Sequence, residues 1–223
     1  EGPLADPRVR QAIAFAINRE NVGMAAEFGN AAITQDPIPS TSAWSFDYAP
    51  YDYDPERARA LLADAGYADG FEIEIMPTTF LPETIRAAQV VQADLAAVGI
   101  TTSIRTLEWA EWLQEQGEGN YDTYICSWNG LIDPDDFFYA QHRTGEVFNF
   151  TGYSNPTVDE LLDEARTLPD ADARRPLYEQ VNRAIVDDAP YIYMYNPLQI
   201  HAYRPDVKGF SARADQAVRF VGT

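Results

Sequence analysis

The chain has 223 residues, of which 46% are apolar and 13% aromatic, enough to form the core of one large domain or of one domain and part of a second. Asp and Glu number 35 against 16 Lys and Arg, and the net charge of −19 argues against nucleic acid or an anionic membrane surface as the partner. No apolar run approaches the ~20 residues that cross a membrane, and we expect a signal peptide to be absent from this sequence.

The first part of the chain is predicted to be helical. Asp6 and Asp54 each precede a proline, a pair in which the carboxylate caps a helix and the proline takes its first position. Amphipathic patterns predict helices over residues 7–17, 19–28 and 54–65, the last two ended by Gly29 and Gly66. Residues 30–53 form a long loop rich in proline and aromatic residues, which is typical of a functional or surface-wrapping segment.

A β-α-β unit follows. Phe71, Ile73 and Ile75 alternate with glutamates, which predicts a half-buried strand. An amphipathic helix from Pro82 to Gly99 then leads to a second strand over residues 100–104. Because such crossovers join neighbouring parallel strands, the sequence predicts an α/β fold with a mostly parallel sheet flanked by helices.

The remainder is predicted to add a third strand, four helices and two C-terminal strands. The third strand, residues 121–128, contains the single cysteine, Cys126, which is expected to be a buried and unreactive thiol. A change in composition at Pro197 indicates a passage into another domain. The predicted helices cover residues 108–115, 134–140, 156–167 and 171–187, and the predicted strands cover residues 191–195 and 199–203.

Ligands of open α/β sheets bind at the carboxyl ends of the strands, which selects three loops of this chain. These loops offer flat aromatic surface with a few polar groups, as small-molecule sites do. Trp109 and Trp112 could equally pack on the core, and the two threonines could be ordinary loop hydroxyls. Trp128 and Asn129 are predicted to lie at the ligand-facing mouth. The candidate binding residues are Thr78, Thr79, Phe80, Trp109, Trp128, Asn129, Gly130 and Leu131.

Catalytic patterns are weak. Asp133, Asp135 and Asp136 could form a carboxylate group for Mg²⁺ or for glycoside hydrolysis, but Asp133 is also the best cap for a helix that starts at Pro134. His142 and His201 lie far apart and lack the spacing of zinc ligands. We therefore predict no catalytic residue, metal site or cofactor, and keep a carbohydrate-active hydrolase that uses the three aspartates as the alternative to a binding protein.

Several blocks of the sequence, in order along nearly the whole chain, resemble the C-terminal half of the substrate-binding proteins of ABC importers, family 5, the peptide and nickel group. The shorter matches are Tyr121-Asp122, Trp128 and Asp133-Pro134. The longer blocks are residues 3–20 (PLADPRVRQAIAFAINRE), 53–67 (YDPERARALLADAGY), 92–100 (QADLAAVGI), 152–156 (GYSNP) and 207–210 (VKGF).

The resemblance implies a lobe of a two-lobed periplasmic-binding-protein-like fold of type II. Residues 1–197 would be the second, ligand-binding lobe, and residues 198–223 the segment that returns to a first lobe. The implied function is capture of a peptide-like or related polar solute for ABC permease subunits. The protein would act as a monomer outside the cytoplasm, either in the periplasm or lipid-anchored at the cell surface. A family member that binds a neutral oligosaccharide, or a sensory or scaffold domain of the same fold, are further alternatives.

The resemblance also bears on the ligand's charge. Peptide-binding members of the family hold the ligand's amino group with an aspartate shortly after the strand-end tryptophan, and that place falls at about Leu131. Dipeptide binders hold the carboxylate with an arginine whose place falls at about Thr78. Without these anchors a dipeptide would leave its charges unpaired in a closed cleft. A longer peptide held by its backbone, or an oligosaccharide stacked on Trp109 and Trp128, fits better.

Overall fold

A computed structural model describes residues 2–130 and 132–211 of the chain. After a short 3₁₀ turn at Pro3–Ala5, helices and strands alternate through the first half, and helices dominate the second half. The helices are α1 (Pro7–Ala16), α2 (Arg19–Glu27), α3 (Pro55–Asp64), α4 (Pro82–Ala96), α5 (Trp109–Glu118), α6 (Asp135–His142), α7 (Pro156–Thr167) and α8 (Ala171–Asp188). The strands are β1 (Ala31–Ile33), β2 (Phe71–Met76), β3 (Ile100–Ile104), β4 (Thr123–Tyr124) and β5 (Tyr195–Pro197).

The main sheet has three parallel strands in the order β3-β2-β4. Phe71 pairs with Ile100 at one end of the β2–β3 ladder, and α4 forms the crossover between these strands. This arrangement confirms the predicted α/β fold with a parallel sheet flanked by helices. A second sheet consists of β1 and β5, which pair antiparallel with Ala31 opposite Pro197.

Capping side chains start the helices as predicted. Asp6 accepts a hydrogen bond from the Arg8 amide, and Asp54 accepts one from the Arg57 amide. Asp133 accepts the amide of Asp135 at 3.0 Å, so it caps α6 as expected, although the helix begins one residue after Pro134.

The predicted strand over residues 121–128 is wrong beyond its first half. β4 contains only Thr123–Tyr124, and the last ladder bond runs from the Ile125 amide to the Met76 carbonyl at 3.3 Å. Pairing stops there because the next amide on this side of β2, that of Thr78, donates to the Thr84 hydroxyl instead of to β4. Cys126 is consequently exposed, which corrects the expectation of a buried thiol.

The two predicted C-terminal strands are also wrong. Residues 199–203 form no strand, and the strand found in this part of the described chain, Tyr195–Pro197, pairs with β1. β1 itself lies within the segment predicted as a loop, because three residues are too few to carry a periodic signal.

Two large apolar cores stabilise the chain. One lies between α1, α3, α4 and the main sheet and includes Phe15, Leu62 and Leu95. The other joins α6, α7 and α8, and Ile38 of the long loop is fully buried in it. The loop therefore wraps the helical part of the chain. Among the described residues, no helix is long and apolar enough to cross a membrane.

Candidate functional site

The loops that follow β2, β3 and β4 lie at one edge of the main sheet because the three strands are parallel. In the β2–β3 pair each residue lies opposite the residue 29 positions later, as Ile75 lies opposite Ile104. The same register continues past the strand ends, where Thr78 bridges to Leu107 and the Thr79 amide donates to the Leu107 carbonyl at 2.9 Å. The two loops are thus held side by side.

This register brings Phe80 next to Trp109. Their rings stack with centroids 5.1 Å apart, and Trp109 stacks in turn on Trp112 at 5.2 Å with an angle of 10° between the planes. Trp112 is buried, and its Nε1 donates to the Met76 carbonyl at 2.9 Å. Phe80 is 63% exposed and Trp109 is half-buried. We call these three rings the aromatic slab: its inner ring belongs to the core, and its outer ring faces solvent.

The two candidate threonines have different surroundings. Thr78 is fully buried, and its Oγ1 accepts a hydrogen bond from the Phe80 amide at 3.3 Å. The Thr78 amide donates to the Thr84 hydroxyl at 3.2 Å. Thr78 therefore holds the turn that presents Phe80, whereas the Thr79 side chain is exposed beside it.

The segment after β4 carries the other candidates. Trp128 is 37% exposed and packs edge-on against Phe148 with ring centroids 5.0 Å apart, and Asn129 is exposed. A Cβ atom on Gly130 would collide with the far edge of the Phe137 ring, so a larger residue there would displace this buried ring. Leu131 lies outside the described residues. The exposure of Trp128 fits the prediction that this side chain is not part of the core.

Arginine side chains anchor the end of this segment. Asp133 forms a bidentate ion pair with Arg174, at 2.8 and 3.0 Å, and Asp135 forms one with Arg166, at 2.7 and 2.8 Å. The hydrogen bond from Arg174 holds the pKa of Asp133 below its usual value. Carboxylates neutralised in this way do not supply the free acid and base of a glycosidase, which contradicts the hydrolase hypothesis. Asp136, the third aspartate of that hypothesis, lies in the first turn of α6.

The anchoring arginines were missed by the sequence analysis. Arg174 follows Asp133 by 41 residues, and no local pattern links two residues so far apart. The Arg174 guanidinium also donates to the Tyr178 hydroxyl at 2.9 Å and lies over the Trp44 ring at 5.4 Å. These two contacts hold the Arg174 guanidinium in the position in which it pairs with Asp133.

A negatively charged side chain lies near the segment after β4. Glu83, in the first turn of α4, lies close enough to Cys126 to affect its thiol. Although the residue is exposed, the protein atoms around it partly desolvate the thiol, and this, together with the smaller effect of the Glu83 charge, raises the pKa of Cys126 above its usual value. The thiol is therefore protonated at neutral pH and is a poor nucleophile.

The histidines do not form a metal site. His142 is fully buried, with its Nδ1 donating to the Phe138 carbonyl at 3.0 Å and its Nε2 accepting from the Tyr193 hydroxyl at 2.7 Å. His201 is exposed and packs against Phe210. Within residues 2–130 and 132–211, no group of three or more His, Cys, Asp or Glu side chains is arranged to hold a metal ion.

Residues 1–149 match the family model of bacterial extracellular solute-binding proteins, family 5, in its middle region. The chain belongs to this family. The resemblance noted in the sequence is thereby confirmed, and the family-5 members it matches are binding proteins, not enzymes.

Curated relatives of this family-5 chain extend beyond the region matched by the family model. The dipeptide-binding protein of Escherichia coli strain K12 is 33% identical over 218 residues, which cover 93% of this chain and 41% of the relative. Heme-binding protein A of Haemophilus influenzae is 32% identical over 219 residues, which cover 94% of this chain and 40% of the relative. The chain thus spans about 40% of the length of these relatives.

Solved structures agree with the family assignment. The periplasmic binding protein DppA of Helicobacter pylori, in complex with the peptide STSA, superposes with a TM-score of 0.83 at 30% identity, covering 88% of this chain and 40% of that one. HbpA2 of Haemophilus parasuis superposes with a TM-score of 0.84 at 27% identity, with the same coverage of 88% and 40%. Both are periplasmic binding proteins of two lobes, so this family-5 chain has the fold of part of such a protein.

Proposed function

We propose that this chain is the ligand-binding lobe of a solute-binding protein that captures a peptide-like or related polar solute and delivers it to the permease of an ABC importer. The observation that carries the proposal is the set of exposed aromatic side chains at the carboxyl edge of the parallel sheet. Phe80 lies on the loop after β2 and Trp128 on the segment after β4, and the half-buried Trp109 is the first residue of α5, directly after the loop that follows β3. Aromatic faces at this edge suit the backbone and side chains of a peptide.

The relatives support a peptide-like ligand. Their names refer to dipeptides, heme, di- and tripeptides and glutathione, and one solved structure holds the peptide STSA. In this chain Thr78 is buried and position 131 carries leucine, so neither place offers a charge to a peptide terminus. We therefore propose a ligand whose backbone is bound by Asn129, Thr79 and main-chain groups, with its side chains on Phe80, Trp109 and Trp128. Gly130 and Thr78 would position these loops.

The same proposal includes the domain organisation, the oligomeric state and the location of the protein. Residues 1–197 are proposed as the second, ligand-binding lobe, and residues 198–223, of which 212–223 lie outside the described residues, as the segment that returns to a first lobe. The first lobe closes over the ligand. The protein acts as a monomer outside the cytoplasm, in the periplasm or lipid-anchored at the cell surface. A neutral oligosaccharide is the competing ligand, because sugar rings also stack on indole faces.

Thermal unfolding of the full-length protein tests the proposal, because a ligand that binds only the folded state raises its stability by about 2.7 kcal/mol at a hundred times Kd. The probes are mixtures of di- to hexapeptides and of neutral oligosaccharides. Trp128→Ala is expected to abolish the peptide-induced shift while leaving the unliganded melting temperature within a few degrees, because the indole is 37% exposed. Tyr53→Ala, which removes an exposed aromatic ring outside the three loops, is the matched control. A shift caused by sugars alone, or a Trp128→Ala protein that binds peptide like the wild type, contradicts the proposal.

A further inference from the structure

The aromatic slab presents an open π face to solvent. One face of the Phe80 ring is covered by Trp109, and the side chain is nevertheless 63% exposed. Among the described residues, no arginine or lysine lies over the Phe80 ring. Trp109 and Trp112 behind it hold the ring against the core, so the face is fixed in place.

Two carboxylates that form no ion pair with another described residue lie close to this ring along the chain. Glu83 follows Phe80 by three residues, and Glu108 directly precedes Trp109. Glu108 occupies the position before α5 without capping it, and neither glutamate side chain has a hydrogen bond or ion pair with another described residue. The carboxylates of Asp133, Asp135 and Glu74, by contrast, are all paired with arginine.

The cations of the chain are engaged elsewhere. In residues 2–130 and 132–211, every arginine and the single lysine contacts a carboxylate, a backbone carbonyl or an aromatic ring other than those of Glu83, Glu108 and Phe80. Arg86, on the helix that begins beside Phe80, points away to the Ala26 carbonyl and the Phe28 ring. Glu83 and Glu108, the acidic residues next to the slab along the chain, are therefore not neutralised by any arginine or lysine of the described residues.

We propose that this lobe selects a solute that carries a positively charged group, in the first instance a peptide with a basic side chain, and seats that group on the outer face of Phe80 between Glu83 and Glu108. The inference rests on the proposed function and adds the ligand's charge to it. A cation on the ring face is attracted by the π electrons, and the carboxylates pair with it when the cleft closes and water is excluded. An anionic side chain would meet two like charges instead.

Isothermal titration calorimetry of the full-length protein tests the inference with Ala-X-Ala peptides in which X is lysine, norleucine or glutamate. Lysine and norleucine have similar length, so their ratio of Kd reports the charge. We expect the lysine peptide to bind about tenfold more tightly than the norleucine peptide, and the glutamate peptide to bind most weakly. Glu83→Gln and Glu108→Gln should each reduce the ratio to about threefold or less without weakening norleucine binding.

The controls separate this inference from the proposed function. Glu72→Gln removes an exposed glutamate at the amino end of β2, the opposite edge of the sheet, and should leave the ratio unchanged. Equal binding of the lysine and norleucine peptides overturns the inference and leaves the proposed function standing. If no peptide binds but spermidine does, and Glu108→Gln weakens it, the inference stands and the peptide function falls. If neither peptides nor spermidine bind, both fail.

Discussion

Two buried titratable groups with opposite pKa shifts make the stability of this protein predictable over acidic pH. His142 is enclosed between the Phe138 carbonyl and the Tyr193 hydroxyl, and burial lowers its pKa from 6.5 to about 4. Asp36 accepts the amides of Ile38 and Phe46 in the long loop, and burial raises its pKa from 3.8 to about 6. In both cases loss of water around the charged form is the main cause.

The signs of the two effects are opposite. For His142 the unfolded chain binds the proton more tightly, so the free energy of unfolding falls as the pH drops from about 6.5 to about 4. For Asp36 the folded chain binds the proton more tightly, so the free energy of unfolding falls as the pH rises from about 4 to about 6. At 1.36 kcal/mol per unit of pKa shift, each contribution is about 3 kcal/mol. The two largely cancel in the wild-type protein.

Replacing one of the two groups should reveal the pH dependence of stability that the other group causes. Asp36→Asn is expected to make stability rise by about 3 kcal/mol, relative to the wild type, between pH 4 and 6.5. His142→Gln, which keeps a donor and an acceptor, is expected to make it fall by about the same amount. Urea denaturation at half-unit pH intervals, followed by circular dichroism, measures both slopes. Asp69→Asn, at an exposed position, is the control and should leave the profile unchanged.

A pH profile of Asp36→Asn that runs parallel to that of the wild type would refute the reasoning, because Asp36 would then titrate alike in the folded and unfolded chains. A downward slope with rising pH in that variant would show that the sign is wrong. His142→Gln provides an independent check, since its predicted slope has the opposite direction.

Three further predictions concern packing, anchoring and binding. Gly70→Ala should destabilise the protein by about 2–4 kcal/mol in the same urea titration, because the backbone there has φ +76° and a Cβ atom would collide with the Gly99 carbonyl. The control is Gly117→Ala, in open space on α5, which should be neutral or slightly stabilising. Arg174→Met should lower the free energy of unfolding by about 1–2 kcal/mol, because it leaves Asp133 without its partner. If the lost ion pair is the cause, adding Asp133→Asn to this variant should lower the free energy of unfolding only slightly further. The isolated 223-residue chain should fold but bind ligand much more weakly than the full-length protein, and micromolar affinity of the isolated chain by calorimetry would contradict this.

The helices could be predicted because their signals are local. Asp54 with its following proline, and the apolar stripe of residues 156–167, gave helix bounds within one or two residues of those observed. The errors fall on strands whose extent depends on a partner. Residues 121–128 have an apolar strand-like sequence, but β2 offers ladder partners only as far as Met76. A sequence read alone contains no information about where its partner strand ends.

The sequence selected loops that the structure brings side by side, but it did not predict the contacts between them. The carboxyl-end rule selected both Phe80 and Trp109, yet their stacking depends on the register between β2 and β3, which single-sequence patterns do not determine. Gly130 was selected as a binding residue, whereas its position against the Phe137 ring explains the glycine without a ligand. Sequence patterns identified which loops meet, and packing decided which side chains face outward.

The scarcity of basic residues in this chain has a structural explanation that also accounts for the anionic edge. Arginines from one element repeatedly bond the carbonyl groups at or near the C-terminal end of another helix, where the helix dipole is negative and the last carbonyls lack partners. Ends of α1, α2, α3, α4 and α8 are satisfied in this way, by Arg19, Arg86, Arg8, Arg59 and Arg10. Arg105, Arg166 and Arg174 are paired with carboxylates that hold loops in place. The chain has 16 basic residues against 35 acidic ones, and the basic side chains of the described residues stabilise the scaffold without pairing with Glu83 or Glu108. The fold itself therefore leaves the carboxyl edge of the sheet with aromatic faces and unpaired carboxylates.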